Sequence, residues 1–138
     1  MREILFRGKR LSDGKWAEGF YQASPAGNHY ITSVGHSGCA QPDKVDPATV
    51  GEWAGIEDVN GKKIFEGDII SGLFVFEMYV PGVVAFCDGA FGVEWYRGDR
   101  CQGKFPMFTP FTSTCNVKWE VVGNVHDNPG LLERGENK

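Results

Sequence analysis

Short alternating apolar segments, separated by turn residues, are the feature that most limits what this chain can fold into. The pairs Asp13-Gly14, Asn60-Gly61 and Asp88-Gly89 each stand between two such segments. Glycine accepts the positive φ that tight turns demand, so these pairs favour β-hairpins, and Asn60-Gly61 fits a type I′ turn. Gly occurs 19 times and Pro 7 times, and long helical periodicity is missing. The sequence therefore predicts a mainly β protein with short antiparallel strands.

The first third of the chain reads as a β-hairpin region. Residues 4–6 and 16–21 are predicted strands on either side of the Asp13-Gly14 turn, and residues 29–34 a third strand. Residues 35–44 are polar and predict a surface loop. Asp46 is a suitable helix cap and Pro47 suits the first helical position, so one or two helical turns are expected there.

The rest of the chain suggests a small barrel. Gly67-Asp68 before the apolar pair Ile69-Ile70 is typical of strand entry in SH3-like barrels, because the carboxylate bonds nearby backbone N–H groups. Residues 83–86 and 91–95 predict a hairpin, and Pro81-Gly82 should break the preceding apolar run. Residues 97–114 read as irregular. The last strand is expected over residues 117–125, followed by a turn at residues 127–129 and a short helical turn at Leu131-Leu132.

The expected fold is therefore mainly β, with an N-terminal β-hairpin region, a small SH3-like barrel and one or two short helical turns. The expected organisation is an N-terminal β region over residues 1–50, the barrel region with the C-terminal strand over 51–132, and a frayed tail over 133–138.

Composition fits a globular protein of the cytoplasm. Of the 138 residues, 41% are hydrophobic and 23% charged, and the net charge is −4. No apolar run approaches the roughly 20 residues of a membrane helix, and charges interrupt the N-terminal apolar residues, unlike a signal peptide. The 4 cysteines form no C-x-x-C pair and are expected to be reduced. No membrane association is predicted.

The sequence contains no strong catalytic, metal or cofactor signal. His36 and Cys39 form the only local nucleophile-base pair, and His29 could join them at a metal, but no recognised spacing supports either site. Asp58 and Asn60 begin like a calcium loop, yet the following glycine arrives too early. Glu66 and Asp68 could act as acid and base, but their place at a strand entrance favours turn stabilisation. We expect a non-enzymatic protein without metal or cofactor.

Basic residues lie next to aromatic residues at two places. One cluster is Phe6, Arg7, Lys9 and Arg10, and the other is Trp95, Tyr96, Arg97 and Arg100. Such pairing is typical of nucleic-acid surfaces, although aromatics in a small domain are more often core residues. Phe105, Phe108 and Phe111 are interpreted as a loop pinned to the core, or as an exposed strip for a partner. The candidate binding residues are Arg7, Arg10, Trp95, Arg97, Arg100 and Phe108.

Three blocks of sequence resemble the YopX family of phage and prophage proteins. They are residues 2–9 (R-E-I-L-F-R-G-K), residues 45–70 (V-D-P-A-T-V-G-E-W-A-G-I-E-D-V-N-G-K-K-I-F-E-G-D-I-I) and residues 119–132 (W-E-V-V-G-N-V-H-D-N-P-G-L-L). The resemblance implies a phage or prophage gene product in a bacterial cytoplasm, mainly β and able to self-associate. Family members typically have Tyr or Gln-Tyr in place of Glu52-Trp53, and an acidic residue in place of Gly130.

No catalytic or binding residue is established for that family, so the matched residues are expected to be structural. These are Gly55, Asn60, Gly61, Glu66, Gly67, Asp68, Gly123, Asn124, Asn128 and Pro129. The expected function is a non-enzymatic binding or self-assembling module, whose partner is itself or a phage or host protein. The alternative is an accessory nucleic-acid-binding protein.

Overall fold

The computed structural model describes residues 3–33, 42–75, 78–87, 89–97, 100–106 and 119–133. Within them, eleven strands are β1 (Phe6–Lys9), β2 (Trp16–Ala23), β3 (His29–Ser33), β4 (Pro42–Lys44), β5 (Gly51–Glu57), β6 (Lys63–Phe65), β7 (Asp68–Val75), β8 (Met78–Cys87), β9 (Ala90–Arg97), β10 (Arg100–Pro106) and β11 (Glu120–Asn124). A 3₁₀ turn spans Pro47–Thr49, and a single-turn helix, α1, spans Gly130–Glu133.

The strands form two sheets, in the orders β4-β3-β2-β1-β5-β6 and β10-β9-β8-β7-β11. The prediction of a mainly β fold is confirmed, and the SH3-like form of the barrel stays a prediction. The chain divides into two compact units, Met1–Gly55 and Ile56–Lys138. Among the described residues, no helix is long and apolar enough to cross a membrane.

The core of the first unit lies on one face of β2 and β3. Ala17, Ile31 and Val45 are buried, and Phe6 and Tyr21 pack against them. These residues share the core face because side chains two residues apart in a strand point to the same side of the sheet. The hairpin between β1 and β2 is present as predicted, although β1 begins later and pairs Phe6 with Gly19. Burial of the Ile31 and Val45 side chains contributes about 1.5–3 kcal/mol each.

The predicted helical start at Asp46 and Pro47 is confirmed as a single 3₁₀ turn. The Asp46 carboxylate accepts a hydrogen bond from the Ala48 N–H at 3.0 Å. Thr49 fixes this turn to β1, because its hydroxyl accepts from the Lys9 N–H at 2.8 Å and donates to the Asp46 carbonyl at 2.7 Å. The Asp46 carboxylate therefore caps the turn locally, and the buried Thr49 hydroxyl joins the turn to β1.

The second unit is built on the meander of β7, β8 and β9, and the predicted hairpin of β8 and β9 is confirmed. The predicted break at Pro81-Gly82 is wrong, because β8 runs through both residues. Ile70 pairs with Gly82 and Leu73 with Val80, so two residues of β7 face Pro81 across a bulge. Proline lacks an N–H to donate, and a bulge removes the need for one.

Two predicted loops are partly strand. β4 occupies the end of the expected loop 35–44, and residues 34–41 lie outside the described residues. β9 reaches Arg97 and β10 covers Arg100–Pro106, inside the stretch expected to be irregular. β10 is a strand because it pairs with β9, and its composition alone did not predict that pairing. Residues 107–118 lie outside the described residues, whereas the helical turn at Leu131-Leu132 is confirmed as part of α1.

Candidate binding surface

The two faces of the first sheet carry different side chains, and one of them packs on the core of the first unit. Opposite the core of the first unit, β2, β3 and β4 present a set of side chains that we call the outer face. Its members are Trp16, Glu18, Phe20, Gln22, Tyr30, Thr32, Pro42 and Lys44, and the register of β1 places Arg7 and Lys9 beside Glu18 and Trp16. The assignment follows from register, because directly paired residues in antiparallel strands share a face. Phe20 pairs with Thr32, and Tyr30 pairs with both Gln22 and Lys44.

Phe20 is the most exposed large apolar side chain on this face. Its relative exposure is 60%, and Glu18, Gln22 and Lys44 beside it are exposed polar residues. Tyr30 and Thr32 are half-buried. An exposed aromatic within a polar rim is the usual arrangement of a protein-binding hot spot.

The first predicted basic cluster is divided between two environments. Arg7 is only 7% exposed, and its guanidinium carbon lies 4.5 Å from the centre of the Trp16 ring. The Lys9 ammonium lies 5.5 Å from the same ring centre. Both are within cation–π range, so Trp16 holds two cations at the side of the outer face. Phe6 faces the core and packs on Tyr21, with ring centres 5.4 Å apart.

Arg10 is matched by carboxylates. Its Nε donates to Asp43 Oδ2 at 3.0 Å, and its Nη1 lies 3.9 Å from Asp13 Oδ2. The hydrogen bond to Asp43 raises the pKa of Arg10 above its ordinary value, against a smaller opposing effect of burial. A guanidinium between two carboxylates attracts a phosphate less strongly than one in the open.

The second predicted cluster lies on β9 and β10. Trp95 is half-buried and its indole lies against Gly103, where an added Cβ would come within 2.7 Å of the indole Nε1. Arg100 pairs with Arg97 across the two strands. Phe108 lies outside the described residues. The structure therefore places Arg7 on the first sheet, Arg10 in an isolated bridge to Val45, and Trp95, Arg97 and Arg100 on the second sheet.

Asp58 joins the turn after β5 to β11. Its Oδ1 accepts from the N–H groups of Asn60 at 2.8 Å and Lys62 at 2.9 Å, and its Oδ2 from Val121 at 2.9 Å. Burial raises the pKa of this carboxyl, but the three backbone hydrogen bonds outweigh it and leave the pKa below its ordinary value. The type I′ prediction is wrong here. The Gly61 N–H donates to the Asp58 carbonyl, which places Gly61 last in the turn, with φ +81°.

The Glu66-Gly67-Asp68 turn connects β6 to β7. Asp68 is 1% exposed, and its Oδ2 accepts from the Phe65 N–H at 2.8 Å. Gly67 has φ +87°, and its carbonyl accepts from Val125 N–H at 2.9 Å. The buried Asp68 carboxylate is therefore bonded to the backbone of its own turn.

The block after β11 is a compact polar turn. Asn124 Oδ1 accepts from the N–H groups of His126 and Asp127, and its Nδ2 donates to Asp127 Oδ2 at 3.0 Å. Asn128 Oδ1 accepts from the Asn124 N–H at 3.3 Å. Gly123 lies beneath this turn, because an added Cβ would come within 2.6 Å of Asn128 Oδ1.

The remaining residues of the predicted structural set occupy turns or irregular strand positions. Gly55 lies in β5 with φ +89°. Pro129 begins the helical turn, and its carbonyl accepts from the Leu132 N–H at 3.4 Å. Asn60 donates from Nδ2 to Glu120 Oε2 at 3.0 Å.

Of the histidine and cysteine candidates His29, His36 and Cys39, the structure describes His29. His29 Nδ1 is hydrogen-bonded to the Tyr21 hydroxyl, and the two rings stack with centres 5.8 Å apart. His36 and Cys39 lie outside the described residues. Within the part of the chain that the structure describes, no three His, Cys, Asp or Glu side chains converge on one point.

Sequence reasoning missed the outer face and underrated Asp58. The pattern W-A-E-G-F-Y-Q-A in β2 contained the signal, because Phe20 falls in step with Glu18 and Gln22 rather than with Ala17. Asp58 had no comparable signal, since its partner Val121 is 63 residues away.

Known proteins share this fold and sequence pattern. The crystal structure of protein EF1440 from Enterococcus faecalis superimposes with a TM-score of 0.56 at 22% identity, covering 96% of this chain and 100% of that chain. At that identity the likeness concerns the fold. No curated protein matches the chain. The family model described as YopX protein matches residues 5–133. The chain therefore belongs to the YopX family.

Proposed function

We propose that this protein is a phage- or prophage-encoded, non-enzymatic binding module of the bacterial cytoplasm. It engages a protein surface, its own or that of a phage or host protein, through the outer face. The observation that carries the proposal is the 60% exposure of Phe20 among polar side chains on an ordered strand. An aromatic held on a strand loses little conformational freedom on binding, so its burial translates efficiently into affinity.

The chemistry of the face suits recognition of a protein. Burying a phenylalanine ring contributes about 1.5–3 kcal/mol, and the surrounding carboxylate, amide, hydroxyl and ammonium groups can fix orientation. Because these groups lie on paired strands of one sheet, their mutual spacing is set before a partner arrives.

Substitution of Phe20 by serine is expected to abolish partner capture without unfolding the protein. Phe20 points away from the core, so the change removes an exposed ring and leaves no cavity. Immobilised protein would be challenged with lysate of the bacterial host, and the retained proteins quantified by mass spectrometry.

Val59→Ser is the matched control for this experiment. Val59 is 52% exposed in the turn after β5, belongs to the second compact unit and is not a member of the outer face. Equal capture by the wild type and Phe20→Ser would refute the proposed binding surface, provided that both have the same melting temperature.

The alternative is an accessory nucleic-acid-binding protein. Its support is the grouping of Lys9 with Trp16, at 5.5 Å, beside an exposed sheet face that carries Tyr30 and Lys44. Bases stack on such aromatics, and lysines attract phosphates.

Under this alternative, labelled single-stranded DNA or RNA binds with an affinity that falls steeply with salt in fluorescence anisotropy. Lys9→Ala should then reduce the log–log salt slope by about 0.7, the share of one phosphate contact on a single strand. Lys15→Ala, in the neighbouring turn, is the control. No binding at low salt would exclude the alternative.

A further inference from the structure

We infer that the occupant of the outer face is the same face of a second copy, arranged about a two-fold axis. The inference rests on the proposed function of the outer face as a protein-binding surface, and names its partner. It follows from the register of three strands, which makes the face self-complementary.

Thr32 lies at the centre of the pattern. It pairs with Phe20 on β2 and with Pro42 on β4. Glu18 is two residues from Phe20 on one side, and Lys44 is two residues from Pro42 on the opposite side. At about 3.3 Å per residue and 4.8 Å between strands, each charge lies about 8 Å from Thr32, in opposite directions.

We place a two-fold axis over Thr32, parallel to the sheet and perpendicular to the line from Glu18 to Lys44. It places Glu18 of one copy opposite Lys44 of the partner subunit, and the reverse pair forms by symmetry. On the same flat lattice Phe20 falls within roughly 3 Å of the position of Tyr30 of the partner subunit. The two copies of Thr32 meet on the axis.

This arrangement satisfies the main requirements of a closed dimer interface. Such an interface is isologous, with the same patch used by both subunits. The exposed Phe20 is covered by the half-buried Tyr30 of the partner subunit, and Glu18 meets Lys44 of the partner subunit, which favours this docking over arrangements that oppose like charges. The strands of the two copies cross at roughly 70°, within the orthogonal class of sheet packing.

The second copy fits better than an unrelated protein. Any other partner would need an anion and a cation about 16 Å apart with an aromatic between them, matched to this lattice. The protein itself carries that pattern in a fixed geometry. The face lies on parts of three strands, and we expect a dissociation constant in the micromolar range.

The test is an exchange of charges followed by mixing, measured by sedimentation equilibrium. Wild-type mass should rise with concentration from the monomer value of 15.2 kDa towards twice that value. Glu18→Lys alone opposes two lysines at both symmetric positions, and Lys44→Glu alone opposes two carboxylates. Each variant should weaken dimerisation at least about tenfold, because both copies of the contact are lost.

An equimolar mixture of the two single variants is the decisive sample. In the mixed dimer, the Glu18→Lys chain carries lysine at positions 18 and 44, and the Lys44→Glu chain carries glutamate at both. Both ion pairs therefore form again between the two chains. We expect the mixture to dimerise with an affinity close to that of the wild type. Lys15→Glu, an exposed charge reversal in the turn before β2, is the matched control and should dimerise normally.

The remaining outcomes separate this inference from the proposed function. A wild type that stays monomeric, while Phe20→Ser still loses capture of another protein, would overturn the second copy as occupant and leave the binding surface standing. Dimers unaffected by either charge reversal would place self-association on another surface and also overturn it. A monomer whose capture is indifferent to Phe20→Ser would remove both.

Discussion

Gly19→Ala is expected to destabilise the protein by about 3 kcal/mol or more, or to prevent its folding. An added Cβ would lie 1.9 Å from the Thr32 carbonyl oxygen and 2.6 Å from the Thr32 carbonyl carbon. Both atoms belong to the backbone of β3, so no side-chain rotation relieves the clash. The strand must shift, and it carries Ile31 in the core of the first unit. Denaturation in urea would measure the loss of unfolding free energy.

Gly130→Ala is the control for the Gly19 experiment. An added Cβ at Gly130 meets nothing within 4 Å, and the residue belongs to α1. Alanine favours helix over glycine, so the control should be neutral or slightly stabilising. If Gly19→Ala proved as stable as this control, the close approach of β3 to β2 would be contradicted.

Asp58→Ala is expected to destabilise the protein by about 2–4 kcal/mol, because three partly buried backbone N–H groups lose a charged acceptor. The carboxylate holds the turn after β5 together through Asn60 and Lys62, and binds that turn to β11 through Val121. Asn60→Ala is the matched control. It removes an exposed side-chain bond to Glu120, so its cost should be under about 1 kcal/mol.

The pH dependence of stability gives a second test of the role of the Asp58 carboxylate. Because folding lowers the pKa of Asp58, its contribution is fully present above the ordinary value of 3.8 and disappears as pH falls through the lowered folded value. The stability difference between wild type and Asp58→Ala should therefore shrink in that acid range, as measured by denaturation at a series of pH values. A difference that persisted unchanged at the lowest pH would contradict the role of the ionised carboxylate.

Turns and hairpins were accessible from sequence because their causes are local. Asp46 caps a turn within its own segment, and Gly14 adopts the φ of +72° that its hairpin requires. β10 was not accessible, since its residues are ordinary loop formers until β9 supplies a pairing edge. The bulge opposite Pro81 was also invisible, because it depends on the register between β7 and β8.

The candidate surface also combines features that are local in sequence with features that depend on strand pairing. The sequence places Arg7 and Arg10 near aromatic residues. The contacts that the two guanidinium groups make, with Trp16 and Asp43 respectively, come from other strands. Glu18, Thr32 and Lys44 lie on three different strands, so no linear spacing relates them.

By itself, then, the sequence determined the mainly β class, the turn positions and the family, because short-range periodicity and backbone preferences act within a few residues. Only the tertiary structure decided which charges are matched and which side chains share the outer face. Strand register brings distant residues into contact, and that register depends on pairing energies summed over whole strands.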